Sequence, residues 1–151
     1  MKSNPQKKQI TVFVGLVVKG KKILLVKRDE PEVIGAHLKW EFPGGKVDFG
    51  ETPEEAIVRE IYEETGVKVK VKRLLPYVHT TYWDYPWGVQ HTLILGYECE
   101  YISQDKKTFD HHVNEVDWVP LSHIKDLETL PGDKEFLEAL KIGRASCRER
   151  V

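Results

Sequence analysis

Residues 52 to 66, TPEEAIVREIYEETG, carry their own start and stop signals. Thr52 suits the N-cap, Pro53 the first helical position where its missing N–H costs nothing, and Glu55 stands three beyond the cap to complete a capping box. Gly66 suits the left-handed residue that closes a helix, and Val67-Lys68-Val69-Lys70-Val71 alternates with the period of a strand. The spacing predicts a helix from Pro53 to near Thr65 running straight into a strand. At about 100° per residue, Glu60, Glu63 and Glu64 fall within one arc with Ala56 among them, while Ile57, Val58 and Ile61 occupy the adjoining arc. Such a helix packs its aliphatic side on a core and holds its carboxylates at the margin of that contact. Like charges at these spacings repel by roughly a few tenths of a kcal/mol per pair. A divalent cation converts the repulsion into binding. Magnesium is the natural candidate, because it is hard, takes oxygen ligands and binds one or two carboxylates together with substrate phosphates. The competing reading is a plain surface helix made of good helix formers.

Around this helix the chain reads mainly as strands. Ile10 to Val18 and Ile23 to Arg28 are β-rich apolar runs joined by Lys19-Gly20-Lys21-Lys22, which predicts a hairpin. Asp29 to His37 is more polar and reads as a loop beside a site. Further strands are expected over Val67 to Val78, Gln90 to Tyr101 and Glu115 to Val119, with short helices over Ser122 to Leu127 and Asp133 to Leu140. Strands with few helices argue for an α/β fold, a mixed sheet covered by helices.

The 151 residues, 40% hydrophobic and 31% charged, suffice for one domain with a real core. A net charge of −1 provides no basic field for a nucleic-acid backbone, so a small anionic ligand is expected and no nucleic acid. No apolar run has signal-peptide or membrane-spanning length, which points to a cytoplasmic protein with no membrane partner. Cys99 and Cys147 lack disulfide-framework or zinc spacing. The final string, IGRASCRERV from Ile142 to Val151, looks like a sequencing adapter translated in frame. The expected organisation is therefore a single domain over 1–141 followed by a non-native tail over 142–151.

The segment from Gly45 to Val67, with Gly45, Glu51, the run Arg59-Glu60-Ile61-Tyr62-Glu63-Glu64 and the closing Gly66-Val67, resembles the Nudix box of the Nudix hydrolase family. Every fixed position of that pattern is filled. The resemblance implies a Nudix fold, a mixed sheet between helices with the box as a loop-helix-loop. It also implies that Glu60, Glu63 and Glu64 hold Mg2+, or Mn2+ in its place, with the Gly45 carbonyl as a further ligand and Glu60 and Glu64 closest to the metal. Arg59 would orient the carboxylates by pairing with a box glutamate such as Glu51. Water would attack phosphorus while a carboxylate accepts its proton. Members similar to the mutagenesis-preventing nucleotide hydrolases carry a glutamate six before the tryptophan that is Trp118 here. This chain has His112 instead, leaving Glu115, Asp110 or a box glutamate as candidate base, and His111 and His112 as loop residues.

The approach Trp40-Glu41-Phe42-Pro43-Gly44-Gly45 is similar to that of family members acting on 8-oxo-dGTP and CTP, which implies pyrophosphate release from a nucleoside triphosphate. Lys27 and Arg28 sit where those relatives place phosphate-binding cations. Tyr82 and Trp83 are candidates for stacking on the base, against the alternative that they are core or sheet-edge packing. Tyr85 falls about where dinucleoside polyphosphate hydrolases tend to place a tyrosine, so that substrate class stays open. So does an inactive binding module of the same fold, although such modules would be expected to lose the box glutamates. A homodimer is compatible with the family, but no residue here argues for one.

Overall fold

The computed structural model describes residues 6–33, 35–105 and 113–149; the candidate residues Asp110, His111 and His112 lie outside them. Strands β1 (Gln6–Lys19) and β2 (Lys22–Arg28) form the expected hairpin, paired through Val18↔Ile23 and Lys19↔Lys22. Beyond those two pairs the strands diverge, and the segment from Trp40 to Gly45 fills the gap. Its first half, β3 (Trp40–Glu41), pairs with β2, and its second, β4 (Gly44–Gly45), pairs with β1 through Phe13↔Gly45 and Val14↔Gly44.

Helix α1 (Pro53–Thr65) begins and ends as its signals predict. Thr52 Oγ1 accepts the Glu55 N–H at 3.1 Å, and Gly66 takes φ 75° with its N–H donating to the Tyr62 carbonyl at 2.8 Å. The strand that follows, β5 (Val67–Tyr85), runs seven residues past the expected Val78, and turns at Pro86-Trp87 into β6 (Gly88–Gln104). β6 pairs antiparallel with β5 and parallel with β1, from Gln6↔Gly88 to Val18↔Glu100. Next come β7 (Val113–Pro120) on β2, a 3-10 helix (Leu121–Asp126) and α2 (Asp133–Glu149), whose helical span extends beyond the expected Leu140. The sheet is mixed, in the order β3-β2-β1-β6-β5 with β4 and β7 attached to β1 and β2.

Strand alternation divides the core into two layers. Val17 and Leu24 face α1, packing with Ile57, Ile61, Val67 and Cys99, whereas Leu16, Ile23 and Leu25 face Phe136 and Leu140 of α2. Ile57 and Ile61 are fully buried, but Val58, expected on the same side, is 39% exposed, and Ala56 takes the buried place instead. The contact with the sheet is therefore centred on 57 and 61 and leans toward 56, the side away from 58. Among the described residues, no helix is long and apolar enough to cross a membrane.

Gly44 sets how closely β4 approaches β1. A Cβ there would lie 2.0 Å from the Phe13 carbonyl oxygen and 2.6 Å from Val14 Cα, both backbone atoms that cannot move aside cheaply. Gly44→Ala should destabilise the protein by about 2 kcal/mol through this overpacking. Urea unfolding checks this; an unchanged midpoint would refute it.

Candidate functional site

The loop before α1 and the first turns of the helix are organised by one side chain. Arg59 Nε and Nη2 each donate to the Glu51 carboxylate at 2.8 Å, Nη1 donates to Glu60 at 3.0 Å and Glu63 at 3.2 Å, and Nη2 reaches the Lys46 carbonyl at 3.2 Å. Asp48 adds a carboxylate at 3.4 Å. A forked guanidinium can do this because its donors lie in one rigid plane. The fork, with the Asp48 N–H as a second donor, holds the Glu51 carboxyl down at about 2, while its anions hold Arg59 above the ordinary arginine range. Burial pushes the Glu60 carboxyl up, against the pull of Arg59.

Glu60 also lies directly on Gly45: a Cβ at that glycine would come within 2.5–2.8 Å of the carboxylate atoms. Gly45, Glu60 and Glu64 border one end of a cavity of about 330 Å3. The cavity continues over β1, where Val14, Val12 and Ile10 form its floor, to Gln90 and Thr92 of β6 and Thr81, Trp83 and Tyr85 of β5. Arg28, Glu30, Glu41 and Lys46 line it as well. Arg28 is ion-paired with Glu30 and lies 3.7 Å from Glu41.

Of the residues singled out by sequence, the structure gathers Gly45, Glu60, Glu64, Arg28 and Trp83 on this cavity. Arg59 stands behind the wall as the organiser. Glu63 does not border the cavity; it is 45% exposed and turned to Arg59. Lys27 and Glu115 face each other across the β2–β7 ladder, with the Lys27 ammonium 5.7 Å from the Trp40 ring centre, and neither reaches the cavity. Tyr82 stacks on His91, ring centroids 4.7 Å apart, also away from the cavity. Neighbours in a regular strand point to opposite faces, so of Tyr82-Trp83 only one member can line the same space, whereas Lys27 and Arg28 straddle a register shift in the β2–β7 ladder.

Among the described residues no cluster of three or more His, Cys, Asp or Glu is close enough to hold a metal by itself. The donors at the cavity wall nevertheless fit a hard divalent ion. They are all oxygens, two of them carboxylates, the number magnesium commonly takes when substrate phosphates complete its shell.

Glu41, Gln90, Thr92 and Thr81 were not identified as site residues in advance. Glu41 opens onto the cavity, 26% exposed, and burial pushes its carboxyl up to about 7 against the charge of Arg28. Asp133, at the start of α2, is raised too, first by burial and then by the Glu41 and Glu135 charges. An acid raised in this way binds its proton more tightly folded than unfolded. Stability should therefore fall as pH climbs from Glu41's ordinary 4.5 to about 7 and level off above. Glu41→Gln removes that slope: the variant should exceed the parent by on the order of 2 kcal/mol above neutrality, with the gap closing below pH 4.5. Urea melts of both proteins across this range test it, and a gap that does not change with pH would rule it out.

Comparison with known proteins places this geometry in context. The model of the NUDIX domain matches residues 7–140. An ADP-ribose pyrophosphatase of Methanocaldococcus jannaschii is 52% identical over 61 residues, 40% of this chain and 34% of that protein, so the match spans about a third of that relative's length. An 8-oxo-dGTP diphosphatase of Escherichia coli is 33% identical over 96 residues, 54% of this chain and 74% of that one. The crystal structure of a MutT protein from Methanosarcina mazei superposes with a TM-score of 0.70 at 25% identity, covering 93% of this chain and 99% of the other.

Proposed function

Because the chain belongs to the NUDIX domain family, we propose that it is a cytoplasmic, metal-dependent hydrolase that cuts a phosphoanhydride bond of a nucleoside triphosphate and releases pyrophosphate. One observation carries this reading: two glutamates and a glycine stand at one end of a cavity whose far end is aromatic and neutral-polar. The floor from Val14 to Ile10 spans four residues of strand, about 13 Å, room for phosphates at one end and a base at the other. The relatives named for ADP-ribose and 8-oxo-dGTP support a nucleotide substrate.

In this reading Glu60, Glu64 and the Gly45 carbonyl would hold Mg2+, or Mn2+ in its place, with Glu63 nearby. When bound, such an ion supplies positive charge for the phosphoryl oxygens and lowers the pKa of a water. Arg59 keeps Glu60 in place through its 3.0 Å hydrogen bond while anchoring the loop through Glu51. Arg28 and Lys46, the cations lining the cavity, draw the phosphates in. Glu64 accepts the proton of the attacking water. It is assigned this role over Glu115, which is exposed and faces Lys27 rather than the cavity.

A second reading, hydrolysis of a dinucleoside polyphosphate, is favoured by Tyr85, which lines the cavity and stacks on Trp87 at 5.2 Å and 15°. Such a pair offers a second aromatic surface. The test is chromatography of products after incubating the protein with magnesium and a panel of nucleotides. A nucleoside monophosphate plus pyrophosphate from a triphosphate is the expected result. Turnover confined to dinucleoside polyphosphates would move the substrate class, and no turnover of any compound would favour a binding module.

A further inference from the structure

Outside the cavity, the flank of α1 and the neighbouring strands enclose a shallow groove of about 570 Å3. Val58 of α1 and Ile102 of β6 line it, 39% and 60% exposed, together with Val69 and Val71 of β5. Exposed aliphatic side chains gathered in one strip, rather than scattered singly, mark a contact surface. The two sides of the strip carry opposite charges, Glu54 and Glu55 on the first turn of α1 and Lys70 on β5. Glu54 accepts the Tyr97 hydroxyl at 3.2 Å and Glu55 that of Thr52 at 3.1 Å, but among the described residues neither carboxylate is ion-paired, and nor is Lys70. Lys68, two residues earlier, is by contrast paired with Asp105 at 3.6 Å. Arg59 lines the helical side too, but its fork is committed to Glu51, Glu60 and Glu63.

We infer that this groove is the contact surface of a two-fold homodimer, each copy laying its aliphatic strip on that of the other. The charges select both the occupant and the axis. A two-fold axis running along the groove turns the second copy so that its β5 side faces Glu54 and Glu55 while its α1 side faces Lys70, and the opposite-charge contact forms twice. An axis across the groove would set carboxylates against carboxylates, a juxtaposition that excludes it. One patch thus supplies both halves of its own complement, as a self-matching contact requires. No residue lines both the groove and the cavity, so association leaves the way to the cavity open whatever its substrate.

Sedimentation velocity over roughly 1–200 µM, a range suited to a weak association, should show the protein passing from monomer to dimer. Ile102→Asp, at a position already 60% exposed, should keep it monomeric throughout with a native circular dichroism spectrum. Glu55→Lys and Lys70→Glu should each weaken self-association by about tenfold or more, since each sets like charges together across the axis. Mixed in equal amounts, these two variants should associate with one another about as tightly as the parent does with itself, because every contact at positions 55 and 70 then joins opposite charges. A parent that stays monomeric throughout, a dimer indifferent to these substitutions, or a loss that mixing does not repair would overturn the inference.

Discussion

Glu64→Gln is expected to lower kcat by about 10²- to 10⁴-fold with little change in the unfolding midpoint. Glu64 sits on the last turn of α1, bordering the cavity beside Gly45 and Glu60, and its neighbours Ile61 and Thr65 fasten that turn to the core. The amide keeps the shape and most of the packing but removes both the negative charge and the proton-accepting oxygen, so the loss should fall on turnover. Single-turnover kinetics with a triphosphate, alongside thermal melts, separates the two effects. A variant that works at near-parental rate would dismiss Glu64 from the chemistry and return Glu115 to consideration.

Arg59→Ala should damage both stability and activity. The guanidinium is the common partner of Glu51, Glu60, Glu63 and the Lys46 carbonyl, and its side chain is only 27% exposed. Its removal leaves partly sheltered carboxylates without a counter-charge, so the unfolding midpoint should fall. Because Glu60 is oriented through it, kcat should also drop by about 10- to 100-fold. Arg59→Lys should rescue little, since a single ammonium cannot bond both Glu51 oxygens and reach Glu60. The acid limb distinguishes this account from general loosening. The parent's Glu51 contribution is fully present above its ordinary 4.5 and is lost as pH falls toward about 2. In Arg59→Ala the Glu51 carboxyl should titrate back near 4.5, which carboxyl carbon shifts would register directly. A Glu51 that still titrated near 2 would exclude Arg59 as the cause.

Much of this was legible locally. The cap at Thr52, the stop at Gly66 and the hairpin at Gly20-Lys21 are written in a few adjacent residues, and each forms as its chemistry requires. The pairing of Arg59 with Glu51 likewise follows the box pattern. What lay beyond the local signals was facing. Period-two alternation separates Tyr82 from Trp83, but only the assembled sheet determines which of the two borders the cavity. The same limit concealed Gln90 and Thr92: their strand was expected, whereas their place opposite Trp83 depends on the β5–β6 register. Val58 shows a finer version, since its helical arc adjoins that of Ile57 and the exact lean of α1 on the sheet left it outside.

The parallel ladder between β1 and β6 joins residues 82 apart in the chain. During synthesis, the apolar run from Val12 to Val18 must therefore leave the ribosome and wait until β6 has followed it before its long ladder can close. Helix α1, with its own caps, can form in the interval, but Val17 and Leu24 have only part of their final surroundings until then. Such non-local closure makes folding slow relative to chains built on neighbouring contacts, and it keeps an aggregation-prone strand exposed for that time. Aggregation during expression should thus be governed by how soon β6 arrives.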